Sequence, residues 1–169
     1  MQTILVTGGA GFIGSHTCLV LLENNFRVVI LDSFINSSRS IIKRFPKILI
    51  NKGVDSQSNL FVYEGDIRDE EILNKIFRKF RKKNIPIEAV IHFAGLKSVK
   101  ESIKEPLSYW ETNVCGTNNL LTVMQIYNCK KIVFSSSATI YKSKLIENIN
   151  EEADISPLTP YGFTKFTNE

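Results

Sequence analysis

Three groups of residues in this chain have the types and spacing to do chemistry. The first is Gly8-Gly9-Ala10-Gly11-Phe12-Ile13-Gly14, which follows the strand-like run Thr3–Thr7 and leads into a helical pattern. A glycine turn there lets a phosphate approach bare backbone N–H groups, and the helix dipole adds partial positive charge. Gly9, Gly11 and Gly14 satisfy G-x-G-x-x-G, while Gly8, Gly11 and Gly14 satisfy the wider T-G-x-x-G-x-x-G spacing. The second is Asp32, which closes the apolar run Val28-Val29-Ile30-Leu31. A carboxylate at that point accepts hydrogen bonds from ribose hydroxyls and repels a 2′-phosphate, so NAD is expected rather than NADP. The third is Ser135-Ser136-Ser137 together with Tyr161 and Lys165. Tyr161 and Lys165 are i, i+4 and share one helix face. A phenol ordinarily titrates near about 10 and is a poor base at neutral pH. A nearby ammonium and a cationic nicotinamide both favour the phenolate. With a serine hydroxyl to orient a substrate hydroxyl, such a set removes an alcohol proton while hydride leaves carbon.

Asp66-Ile67 supports two readings. The carboxylate can take the exocyclic amine of adenine while the isoleucine packs on the ring, or Asp66 can cap the helical segment Arg68 to Phe80. His92 lies in an apolar strand and reads as a satisfied core histidine, and His16 reads as helix packing. Tyr141 rivals Tyr161 as base only if Tyr161 is misplaced.

The elements that must position these groups alternate along the chain. Residues 3–7, 27–31, 60–64, 87–93 and 131–136 are short, rich in β-branched and aromatic residues, and bounded by turns, as strands are. Between them lie helical patterns. Residues 13–25 set Ile13, Cys18, Leu21 and Leu22 toward a core, residues 69–83 do so with Ile72, Ile76, Phe77 and Phe80, and residues 105–127 with Leu107, Trp110, Val114, Leu120, Leu121, Val123 and Met124. A helical run starts near Ser37 and is interrupted at Pro46, and residues 51–59 form a polar loop. The order predicts an α/β fold, a doubly wound parallel sheet with right-handed crossovers.

A chain of 169 residues fits one domain with a substantial core. No apolar run reaches the length of a membrane span, and no secretory signal opens the chain. Cys18, Cys115 and Cys129 lack paired metal-ligand spacing and read as reduced thiols of a cytoplasmic protein, with no metal. The basic run Arg78-Lys79-Phe80-Arg81-Lys82-Lys83 reads as the solvent-facing C-terminal end of a helix rather than a nucleic-acid patch, since no aromatic platform accompanies it.

Taken together, Thr7 to Gly14, Leu31-Asp32, Gly65-Asp66-Ile67, Phe134 to Tyr141 and Pro160 to Lys165 resemble the extended short-chain dehydrogenase/reductase family. Within it, Ile91 to Ser102 and Asn113-Val114-Cys115-Gly116-Thr117 are similar to the UDP-glucose 4-epimerases. The resemblance implies a Rossmann-like fold, bound NAD, a UDP-hexose substrate and passage through a 4-keto sugar. It implies Tyr161 as base, Lys165 as the ligand of the nicotinamide ribose that depresses the tyrosine pKa, and Ser137 as their assistant. Gly8, Gly11, Phe12, Ile13, Gly14, Asp32, Asn36, Ser37, Asp66, Ile67, Phe93, Ala94, Gly95, Lys97 and Asn113 would line the cofactor site. A 4,6-dehydratase needs a carboxylate pair after the fifth strand, and Ser137 to Tyr141 has no acid. Lys142 stands where the family usually has glycine, which would strain a positive φ.

Such relatives continue with the rest of the Tyr-Lys helix, further strands and a smaller sugar-gripping domain. Residues 1–169 are therefore expected to form an incomplete NAD-binding domain with the substrate domain absent. Two readings follow: an epimerase or the N-terminal part of one, and a non-catalytic NAD-binding remnant. An epimerase for another UDP-sugar survives as an alternative. The family's homodimer, built with the helices at 105–127 and 161–169, is not expected of so short a chain.

Overall fold

The computed structural model describes residues 1–53, 58–142 and 148–169. Five strands, β1 (Thr3–Thr7), β2 (Arg27–Asp32), β3 (Leu60–Glu64), β4 (Ile87–His92) and β5 (Lys131–Phe134), form one sheet in the order β3-β2-β1-β4-β5. Every pairing is parallel. The chain thus starts at the centre, winds outward to β3, and returns to build the other side, which is the doubly wound arrangement predicted from the alternating pattern. Helices α1 (Phe12–Glu23), α2 (Arg39–Lys43), α3 (Phe45–Ile50), α4 (Glu70–Lys82), α5 (Val99–Lys104), α6 (Pro106–Trp110), α7 (Gly116–Ile126) and α8 (Pro160–Asn168) complete it, with a wide π turn at Glu111–Cys115 between α6 and α7.

Two compact units are present: residues 1–94 with 119–135, and residues 95–118 with 136–169. The first holds the sheet. Side chains alternate along a strand, and both faces of the central strands are buried. Leu5, Val29, Leu31 and Val90 pack with Leu73, Ile76, Phe77 and Phe80 of α4 and Leu120, Val123 and Met124 of α7. Ile4, Val6, Val28 and Ile30 pack with Cys18 and Leu22 of α1 and Phe45 and Leu49 of α3. Each such side chain, once fully buried, contributes roughly 1.5–3 kcal/mol. Beside the second cluster, Ile4, Leu21, Phe26, Ile91, Ile132 and Val133 line an apolar groove of about 450 Å³.

Several expectations are corrected in detail. Ile13 is exposed rather than turned to the core, as are Leu107, Trp110 and Leu121. The helical run is interrupted beside Pro46 as expected, α2 ending at Lys43, but the break falls at Arg44 and Pro46 belongs to the next helix. It falls in the first turn of α3, where a proline lacks no needed N–H. The cap of α4 is Asp69, whose carboxylate accepts from Glu71 N at 2.9 Å and Ile72 N at 3.2 Å, and not Asp66. Lys142 is absent from the non-glycine residues at positive φ, so it carries no such strain.

Other expectations hold. The last turn of α4 is basic, and Arg78, Lys79, Arg81, Lys82 and Lys83 are exposed around buried Phe80. Cys18 and Cys129 are buried free thiols and Cys115 an exposed one. Burial pushes the Cys18 and Cys129 thiols up. No helix of the described residues is long and apolar enough to cross a membrane. Ser143, Lys144 and Glu147, in the polar stretch that follows Tyr141, lie outside the described residues, as does the middle of the loop at 51–59.

Candidate functional site

In the first unit, β1 ends in a turn that begins with Gly8 at φ +70°, the left-handed region that glycine enters freely. Gly8 N donates to Leu31 O at 2.8 Å, which ties the turn to β2. A Cβ on Gly8 would lie 2.7 Å from Ala94 N and 2.9 Å from Phe93 C. The glycine therefore lets the turn press against the end of β4. That end is fixed in turn by Phe93 N to Thr7 O at 3.0 Å and Ala94 N to Thr7 Oγ1 at 3.4 Å. Thr7 Oγ1 also meets His92 Nδ1 at 2.6 Å, so His92, 1% exposed, is the satisfied core histidine predicted. At Gly14 a Cβ would stand 2.9 Å from Gly9 Cα and 3.0 Å from Gly8 C. Only a bare Cα lets α1 start this close to the turn.

Gly11 caps α1 without a side-chain hydrogen bond, and no acid stands in the first turn. The leading N–H groups of a helix lack intrahelical partners. An anion placed there meets those donors and the positive end of the dipole. Phe12 and Ile13 are 75% and 60% exposed beside it, so the predicted site residues of this turn present bare apolar surface at the solvent boundary.

Asp32 is 7% exposed and anchored at both oxygens. Oδ2 accepts from Ala10 N at 2.9 Å. Oδ1 accepts from Phe34 N at 2.9 Å and from Ser37 Oγ at 2.8 Å. The carboxylate is fixed against the glycine turn, and each carboxylate oxygen offers about two acceptor positions. Oδ2, with one donor, keeps a second acceptor position. Asn36 is exposed nearby in sequence. Asp66 accepts from Arg68 N at 2.9 Å, Arg68 Nε at 3.0 Å and an Arg68 terminal nitrogen at 2.7 Å. These bonds from Arg68 hold its carboxyl below the usual range. Ile67 is 4% exposed within the core cluster, so its side chain is not a surface on which adenine could stack.

The second unit carries the remaining candidates. Thr159 caps α8 by accepting from Gly162 N at 3.2 Å, and Pro160 takes the first helical position. Tyr161 and Lys165 share a face, with Lys165 Nζ 6.0 Å from the centre of the Tyr161 ring. Lys165 is 6% exposed. Burial lowers its ammonium from 10.5 to about 8. The Tyr161 ring packs edge-on against Tyr109, centroids 6.4 Å apart. Ser137 meets Thr139 Oγ1 at 2.9 Å and caps the short 3₁₀ turn Ala138–Ile140. Asn113, 2% exposed, accepts from Leu96 N at 2.8 Å and donates to Leu96 O at 2.9 Å and Thr164 Oγ1 at 3.1 Å. Its carboxamide lies against Gly95, where an added Cβ would stand 2.9 Å from Oδ1, and it fixes the segment after β4. Lys97 is exposed one residue later.

Sequence reasoning missed three residues. Tyr109 is fully buried, with its hydroxyl donating to Glu101 at 2.8 Å and accepting from Ser98 N at 3.0 Å. Burial, then the Glu101 bond, raises its pKa, so it stays a phenol. Thr164 joins Asn113 to α8, and Asn168 Nδ2 donates to Asn113 O at 2.8 Å. None of the three carries a local signal, whereas the Thr159 cap with Pro160 after it has a legible helix-start signature.

Comparison with known proteins places this geometry. The family model described as GDP-mannose 4,6 dehydratase matches residues 5–169. UDP-glucose 4-epimerase 4 of Oryza sativa subsp. japonica is 47% identical over 168 residues, covering 99% of this chain and 43% of that protein. The crystal structure of UDP-glucose 4-epimerase from Bifidobacterium longum in complex with NAD+ and UDP superposes with a TM-score of 0.87 at 40% identity, over 99% of this chain and 47% of that one. The corresponding Stenotrophomonas maltophila epimerase, with bound NAD and formylated UDP-arabinopyranose, gives 0.86 at 40% identity, over 99% and 46%. The chain spans less than half the length of these proteins.

Proposed function

The chain belongs to the GDP-mannose 4,6 dehydratase family, and from that premise we propose that it is the NAD-binding part of a UDP-glucose 4-epimerase. The observation that carries the reading is the Asp32 carboxylate, bonded to Ala10 N of the glycine turn and to Ser37. It is a ribose-reading group already aimed, at a helix start left open for diphosphate. The relatives named as epimerases, and the neighbours holding NAD, support the same assignment. The family's descriptive name is that of a 4,6-dehydratase, but residues 135–141 contain no carboxylate for the elimination.

The residues fit the cofactor. The first turn of α1 binds the diphosphate, Asp32 the ribose hydroxyls, and Asp66 the adenine amine. When bound, NAD+ supplies the acceptor for hydride from C4 of the UDP-hexose. Tyr161 takes the proton of the 4-hydroxyl, leaving a 4-keto sugar, and returns it after the sugar has turned its other face. Lys165 supports the phenolate with its ammonium and binds the nicotinamide ribose. Ser137 orients the reacting hydroxyl. The interconversion of UDP-glucose and UDP-galactose follows, with no net change in the cofactor. The formylated UDP-arabinopyranose bound to one neighbour supports a second UDP-sugar as an alternative substrate. Three unpaired thiols support a reducing, cytoplasmic setting.

Calorimetric titration with NAD+ tests the cofactor reading, and conversion of UDP-galactose to UDP-glucose tests the reaction. Saturable NAD+ binding is expected. No heat at roughly millimolar NAD+, some three orders weaker than a micromolar site, sinks the proposal.

A further inference from the structure

The ends of β2 and β3 set two carboxylates side by side, because Asp32 and Glu64 are partners in the parallel register. They are used differently. Asp32 is buried, with Ala10, Phe34 and Ser37 as its donors. Glu64 is exposed and holds the guanidinium of Arg39 in an ion pair. That guanidinium also stacks on Phe34, with Cζ 4.4 Å from the ring centre. Phe34 sits at φ 56°, an uncommon place for a bulky residue, and it is the residue whose amide donates to Asp32. Arg39 is therefore tied to the Asp32 carboxylate twice, through Phe34 and through the strand register that brings Glu64 alongside.

A guanidinium binds a phosphate and a carboxylate by the same planar fork and cannot serve both fully at once. We propose that Arg39 and Glu64 form a specificity pair for the adenosine ribose, in which Arg39 is the phosphate-binding group of a latent 2′-phosphate site and Glu64 keeps it occupied. The inference rests on Asp32 being the ribose carboxylate. It adds a second barrier to NADP beside the charge of Asp32 itself. It also makes that barrier removable, since an exposed ion pair is weak and one substitution releases the cation.

The test is a calorimetric comparison of NAD+ and NADP+ on the full chain, Glu64→Gln, Arg39→Ala and the double variant. Glu64→Gln is expected to shift the NADP+ to NAD+ affinity ratio roughly three- to fivefold toward NADP+, the scale of the exposed ion pair that it releases. Glu64→Thr, which leaves no carboxamide to hold Arg39, should shift it at least as far. The gain should vanish in Arg39→Ala/Glu64→Gln. That step separates a freed guanidinium from the mere removal of a negative charge. NAD+ affinity reports the folding of each variant, and the ratio remains readable where both ligands weaken. A ratio that moves by less than about twofold, or a gain that survives loss of Arg39, overturns the inference while leaving the NAD site standing. Failure of the unmodified chain to bind NAD+ brings down the site and the inference together.

Discussion

Asn113 Nδ2 donates to Thr164 Oγ1 at 3.1 Å, from a carboxamide that also exchanges two hydrogen bonds with Leu96. One buried side chain thus fixes the segment leaving β4 and the middle of the Tyr-Lys helix. A nine-residue α8 is too short to be stable by its own propensity, so this anchorage matters more than its hydrogen-bond count suggests. Asn113→Leu keeps the branching at Cγ and leaves the Leu96 N–H and C=O and the Thr164 hydroxyl without that partner. We expect a loss of about 1–3 kcal/mol, measured by urea unfolding. Amide exchange in residues 161–168 should rise with it. Unchanged exchange there would mean that α8 is held by other contacts.

Lys165 stores the opposite kind of energy. Its ammonium is lowered from 10.5 to about 8 by burial. Below pH 8 both folded and unfolded chains hold the proton, and the fold carries the whole cost of a buried charge, on the order of 3 kcal/mol. Between those two pKa values the unfolded chain binds more protons, so stability rises with pH; beyond 10.5 the gain is complete. Lys165→Met is expected to stabilise the chain by roughly 1–3 kcal/mol near pH 7 and by little near pH 11. Guanidinium melts at both pH values check this. An equal effect at both would exclude the buried charge as its source.

In the first unit, Asp32 gathers three donors. Asp32→Asn replaces one acceptor oxygen by an NH2 that must oppose at least one of them. NAD+ affinity is expected to fall roughly ten- to hundredfold, the scale of hydrogen bonds to a charged group. Ser37→Ala removes a single neutral donor and should cost only about two- to fivefold. Calorimetry on both variants gives the ratio. If Ser37→Ala equals Asp32→Asn, the role given to the carboxylate is misassigned.

Much of this was legible in the residues, for physical reasons that can be named. β1 and β2 are read from near-continuous apolar runs because both of their faces are covered. Helix α4 is read from Ile76, Phe77 and Phe80, because only one of its faces is buried. Asp32 is read because it stands at a fixed step after the glycine turn. What stayed hidden depends on contacts that are distant in sequence. Tyr109 gives no local sign that its hydroxyl bridges Glu101 and Ser98. Thr164 looks like a tolerated variant within the Tyr-Lys turn until Asn113 is found beside it. Asp66 and Asp69 are equally good caps by residue type, and only the phase of α4 selects Asp69. Ile13 fits an apolar periodicity yet faces outward, because at the first turn of α1 the glycine loop, not the core, decides which way a side chain points.

The glycine turn makes a prediction that separates folding from binding. At Gly14 an added methyl would meet backbone, 2.9 Å from Gly9 Cα and 3.0 Å from Gly8 C. Backbone there cannot yield without moving β1 against α1. Gly14→Ala should therefore cost about 1–3 kcal/mol of stability, as overpacking does, and should weaken NAD+ binding as well. At Gly11 the same methyl meets only Gly8 O, at 3.2 Å, and the backbone has φ −70°, which alanine adopts freely. Gly11→Ala should leave the melting transition within about 0.5 kcal/mol of the unmodified chain. Yet its methyl would stand at the start of α1, where the diphosphate is proposed to approach. Thermal unfolding followed by NAD+ titration distinguishes the two. A Gly11→Ala chain that melts normally and binds NAD+ with undiminished affinity would show that the phosphates do not come to this turn.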